Sequence, residues 1–132
     1  MLSATNIDIA SQMKNNDYSK IWLMFVHIKA KRGRDFIDLI DTEGKALKNK
    51  YLGAWANILI KAKTINEAID IAPKGLAEKG FDVKFIDKVE NFNSLIEYKE
   101  ARKDVIKEAA WLLKSKYVFK ISDKIFPYTS IK

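Results

Sequence analysis

The stretch Gly53 to Val89, GAWANILIKAKTINEAIDIAPKGLAEKGFDVKFIDKV, narrows the fold more than any other. An alternating apolar run, a capped amphipathic segment, a glycine and a second alternating run follow in order. Period two marks strands and period 3.6 marks helices, so this is a strand–helix–strand unit. In the first run Ala54, Ala56, Ile58, Ile60 and Ala62 share one face, small then branched, as suits close packing under a helix. Trp55, Asn57, Leu59, Lys61 and Lys63 share the other. Thr64-Ile65-Asn66-Glu67 is a capping box, and Gly80 is a C-terminal stop. Pro73 lies mid-helix and is expected to kink or split it. In the second run Phe81, Val83 and Phe85 are expected inside and Asp82 and Lys84 outside, with Ile86 breaking the pattern.

The remaining elements read as cover for this unit. Ile21–Lys31 is rich in β-branched and aromatic residues. Leu23, Phe25, His27 and Lys29 fall on one face; Trp22, Met24, Val26, Ile28 and Ala30 fall on the other. Both faces are apolar over the first half, which predicts a central strand covered on both sides. Ser94–Glu97 forms a second capping box. It opens what reads as the longest helix, to about Ser115, with a stripe of Tyr98, Ala101, Val105, Ala109, Leu112 and Leu113 and with Trp111 off it. Lys116–Ile121 suggests an edge strand. Residues 1–19 read as a helix or arm, and 122–132 as a tail anchored by Ile125–Tyr128. The expectation is one globular domain over residues 1–132, of α+β class. A single sheet of three to four strands carries helices packed on it, in a ferredoxin-like or split βαβ arrangement.

The chain has 132 residues, enough to bury a core without staples. It holds no cysteine, which excludes disulfides, thiolate zinc sites and thiol catalysis. No basic start leads into an apolar core, and no apolar run approaches membrane-spanning length; the expected location is cytoplasmic. The one histidine, His27, lies mid-strand on an apolar face and reads as buried or half-buried and bonded to a neighbour. No serine sits in a nucleophile elbow, the five glycines form no phosphate loop, and no cofactor is implied. The reading is therefore a protein without catalysis.

The formal charge is +7, and residues 1–66 carry most of it. Lys31, Arg32 and Arg34 cluster where the first strand ends, with Lys45 and Lys48 further on. Asp35, Asp38, Asp41 and Glu43 form an acidic group whose spacing matches no calcium loop; it reads as solvated charge or as a patch for a basic partner. With Trp55, these residues make two surfaces conceivable. One is a basic nucleic-acid site, for phosphates and stacked bases. The other is a protein-docking segment, Arg32 to Tyr51 plus Trp55.

A resemblance bears on the choice. Gly53-Ala54-Trp55-Ala56-Asn57, the helix start at Thr64, Glu67 and Ala68, and Gly80-Phe81-Asp82-Val83 resemble a pattern in small bacterial α+β immunity proteins. These accompany polymorphic toxins, as in contact-dependent growth inhibition. The resemblance covers residues 53–90. It implies a protein that binds one cognate toxin domain and occludes its active site, with complementary charge steering the encounter. The contacts would be Lys31, Arg32, Arg34, Asp35, Asp38, Asp41, Glu43, Lys45, Lys48 and Trp55. A small basic nucleic-acid-binding domain is the alternative.

Overall fold

A computed structural model describes residues 17–34 and 51–128, less the side chains of Asp123 and Lys124. A 3-10 turn at Tyr18–Lys20 leads into β1 (Ile21–Ala30). Then come β2 (Gly53–Lys61), α1 (Ile65–Glu78), β3 (Phe81–Asn91), α2 (Phe92–Glu97), α3 (Lys103–Lys114) and β4 (Phe119–Tyr128). These strands form one antiparallel sheet in the order β3-β1-β2-β4. The class is α+β. Both β2 and β3 run antiparallel to β1 and flank it. They are thus parallel to each other with β1 between them, and α1 joins them. Of the two arrangements expected, the split βαβ is the one built.

The central strand is covered on both sides over its first half, as its composition requires. On one face Met24, Val26 and Ile28 meet Ala54, Ala56, Ile58 and Ile60 of β2 beneath Ala68, Ala72 and Leu76 of α1. All are fully buried; each large aliphatic side chain contributes about 1.5–3 kcal/mol by leaving water. On the other face Ile21 and Leu59 pack with Tyr18 against Phe92, Leu95, Val105, Ala109 and Leu112 of α2 and α3. Two polar ties hold α3 down. The Lys61 ammonium donates to the carbonyls of Leu112 (3.1 Å) and Ser115 (2.8 Å), capping the helix C-terminus. Glu108 accepts from the Ser122 hydroxyl (2.8 Å) and the Lys120 ammonium (2.9 Å) on β4.

Four local expectations are corrected. First, Pro73 does not split α1, which runs unbroken from Ile65 to Glu78. Pro73 and Ile69 both lie on the solvent side, so the Ile69 carbonyl, which loses its N–H partner to the proline ring, is turned toward water. Thr64 does cap this helix, accepting from the Glu67 amide at 3.1 Å, and Gly80 follows it at φ +93°. Second, the segment after Asn91 is not one long helix. Lys99 adopts φ +58°, and the amides of Lys99 and Glu100 donate to Ile96 (3.1 Å) and Leu95 (2.8 Å). That is a Schellman ending with lysine where glycine is usual. Tyr98 is consequently 71% exposed rather than part of the buried stripe.

Third, Phe85 is outside. The β1–β3 ladder slips between Phe25 and Val26 and again between His27 and Ile28. Val83 pairs with Ile28 and Phe85 with His27, leaving Lys84 as an extra residue on β3. Because strand faces alternate with period two, the extra residue reverses the faces after it until the second slip, at Asp87, restores them. Phe85 turns to the α2–α3 side and Ile86 turns inward to the α1 core. Fourth, the aromatics read as an anchored tail, Ile125–Tyr128, are the second half of β4. Pro127 sits there at an edge, where a missing N–H is tolerated.

Candidate docking face

The α2–α3 pair covers only one end of its face of the sheet. Past Leu23 and Leu59, that face continues as Phe25 and His27 on β1, Trp55 on β2, Phe85 on β3, and Phe126 and Tyr128 on β4. Four strands thus bring six rings together. Trp55 stacks on Phe25 (centroids 5.2 Å apart, planes 16°) and on His27 (5.0 Å, 24°). Tyr128 tilts against His27 at 5.5 Å. Phe85 meets Trp55 edge-on at 6.4 Å, and Phe126 meets Phe25 edge-on at 6.5 Å. Such offset and edge-to-face contacts are each worth about 0.5–1.5 kcal/mol beyond burial. The two outer rings remain open to solvent, Phe85 at 56% and Phe126 at 55% exposure.

Local sequence places each ring. Tyr128 lies opposite Gly53. A Cβ on Gly53 would come within 2.6 Å of the Tyr128 hydroxyl oxygen and 2.8 Å of the Ile28 carbonyl oxygen. The absent side chain is what lets the phenol cross the sheet to hydrogen-bond His27 Nε2. His27 is held neutral. Partial burial is the first cause of its lowered pKa, and the ammonium groups of Lys29 and Lys84 add to it. Toward the helices the patch ends in a shallow groove of about 360 Å³, lined by Leu23, Phe25, Asn57, Asp87, Lys88 and Glu90. Along β1 and β3, Lys29, Lys84 and Lys88 are interspersed with Asp82, Asp87 and Glu90, and the exposed Arg32 and Arg34 follow β1.

Of the residues expected to make contacts, Trp55 stands at the middle of this cluster. Lys31, Arg32 and Arg34 form a turn just past β1. The Lys31 amide donates to Gly80 (2.9 Å) and the Arg34 amide to Lys31 (2.9 Å), with Gly33 at φ +87°. Arg32 and Arg34 are exposed there. Asp35, Asp38, Asp41, Glu43, Lys45 and Lys48 lie outside the described residues, as does the expected N-terminal helix. Among the described residues there is no group of carboxylates or histidines arranged to hold a metal. No helix described is long and apolar enough to cross a membrane.

Sequence reasoning missed Phe25, His27, Phe85, Phe126 and Tyr128 as site residues. The one available signal was Ile86, whose break in alternation marks the bulge. Comparison with protein families, curated proteins and solved structures gives no match for this chain.

Proposed function

We propose that this chain is a non-catalytic protein-binding module whose docking surface is the open, ring-lined half of the sheet. The observation that carries the reading is a cluster of six rings on a sheet face that, among the described residues, no helix covers. Aromatic anchors of this kind dominate protein interfaces, surrounded by polar residues that exclude water. The acidic residues interspersed along β3, Asp82, Asp87 and Glu90, support a protein partner over a polyanion. So does the packing of the rings. Trp55 stacks on Phe25 and His27 and is half-buried among the rings, whereas a base-stacking platform presents its rings to solvent. The partner class we favour is the one the resemblance of residues 53–90 implies, a toxin domain whose active site the bound module occludes.

The test is co-expression with a toxin-like domain encoded beside the gene, followed by sizing and titration calorimetry. A 1:1 complex is expected. Phe85→Ser combined with Phe126→Ser should weaken it at least tenfold at a temperature where both proteins are folded, the two lost edge contacts lowering the melting temperature by several degrees. A complex indifferent to this double substitution overturns the assignment of the face. The absence of any complex overturns the partner class.

A further inference from the structure

A second surface lies on the outer side of α3, away from the ring cluster. At 100° per residue, Lys103, Lys107 and Lys114 fall within about 40° of arc and span about 16 Å of helix; all three are exposed. Trp111 flanks this row at 48% exposure and stacks on Tyr117, 54% exposed (centroids 5.7 Å, planes 16°). The Lys116 ammonium stands 6.0 Å over the Tyr117 ring. The acidic residues of α3 do not offset the row: Asp104 pairs with Arg102 at 3.5 Å, and Glu108 is turned to β4. The N-terminus of the helix adds an independent observation. Arg102 occupies the N-cap without a side-chain cap bond, and Lys103 follows it. Cations at that end oppose the helix dipole, and an arginine cap satisfies no amide. The helix therefore carries charge where its own stability disfavours it.

We infer that this face binds single-stranded nucleic acid, with the lysine row tracking phosphates and the Trp111–Tyr117 pair extending as a base stack. A linear row of cations ending in stacked rings fits a linear polyanion that itself carries aromatic rings. A lipid surface fits less well, because the apolar stripe of α3 is buried against the sheet and is not available to insert. The proposal shares no residue with the docking face.

The probe is a fluorescein-labelled oligothymidylate of ten nucleotides, read by anisotropy at low salt with Trp111 emission in parallel. Binding should quench Trp111 and fall with salt with a logarithmic slope of about −2 to −3, as for three or four phosphates on a single strand. Lys103→Glu, Lys107→Glu and Lys114→Glu together should reduce affinity by more than tenfold. Lys103→Glu alone should weaken binding yet raise the melting temperature, which a purely structural lysine would not do. Phe85→Ser with Phe126→Ser should leave the affinity unchanged. No binding at low salt, or binding untouched by the triple substitution, overturns the inference. Binding to phosphatidylserine vesicles but not to the oligonucleotide, lost in the triple variant, replaces nucleic acid with a membrane.

Discussion

Gly75 sits in the interior of α1, where alanine would normally be the better residue by about 0.5–1 kcal/mol. Here the structure opposes that gain. A Cβ on Gly75 would lie 2.7 Å from both Cδ1 and Cε1 of Phe119 and 3.1 Å from Cζ. Ordinary carbon contacts begin near 3.4 Å, so the ring would have to retreat by about 0.7 Å, and these atoms are the ring edge rather than the end of a flexible chain. Phe119 has little room to move, because it packs on the α1 core at the start of β4. Overpacking of this kind costs about 1–3 kcal/mol. Against the helix gain, Gly75→Ala should range from about neutral to about 2.5 kcal/mol destabilising. Urea denaturation at constant m-value is the assay. Phe119→Leu should be mildly destabilising alone and should relieve the clash in combination, giving a favourable coupling of at least about 0.5 kcal/mol in a double-mutant cycle. A Gly75→Ala variant more stable than the parent by about 1 kcal/mol, with no coupling to Phe119, would refute the close approach of α1 to β4.

Other perturbations test separate contacts. His27 has a lowered pKa in the fold, so its contribution to stability is complete above about pH 6.5, the unfolded value, and is lost as the pH falls through the lower folded value. His27→Gln should flatten that acid limb, seen by chemical denaturation at several pH values; an unchanged limb would clear His27 of the effect. Lys99→Gly relieves a left-handed lysine and should stabilise the chain by about 0.5–1 kcal/mol, measured by thermal melting. Lys61→Met keeps the stem but deletes both donors to the end of α3. It should cost about 1–2 kcal/mol after allowance for partial exposure, with amide exchange faster in α3 than in α1.

Where the chain obeys local rules, its structure could be read directly. The faces of β1 and β2 follow strict alternation, so Met24, Val26, Ala56 and Ile58 were assignable to the core by period alone. The Thr64 cap and the Gly80 stop are chemistry within four residues. What escaped depends on partners distant in sequence or on conformations not coded by type. Nothing about lysine announces the left-handed turn at Lys99; only the packing of α3 behind it does. Pro73 promised a break that its solvent-side position made unnecessary. Trp55 was picked out of the candidate site because it is conspicuous in its own strand. The rings around it come from residues 25 to 128, and a site assembled across four strands leaves no contiguous signature.

Two irregularities in the sheet bear most directly on what the face is for. Continuing the regular β1–β3 register from Ile28 and Val83 would place Lys84 opposite His27; the slip puts Phe85 there instead. On the other side, Ile58 pairs with Ile121 but Ala56 pairs with Ile125, so β4 takes up two extra residues opposite Asn57. Regular pairing would set position 124, a lysine, against Trp55; the irregularity delivers Phe126. In both β3 and β4 the irregular register sets a phenylalanine opposite a ring of the neighbouring strand. Gly53, regularly paired with Tyr128, makes room for a third ring by lacking a Cβ. A sheet face left to water ordinarily carries polar residues, and bulges tend to sit where a side chain must be re-aimed. Two register slips and one missing Cβ thus each help to bring a ring to one surface. The second β1–β3 slip sets Lys88 rather than Asp87 opposite Phe25, so the surface is centred on rings and keeps charge beside them, the pattern of an apolar interface core with a polar rim.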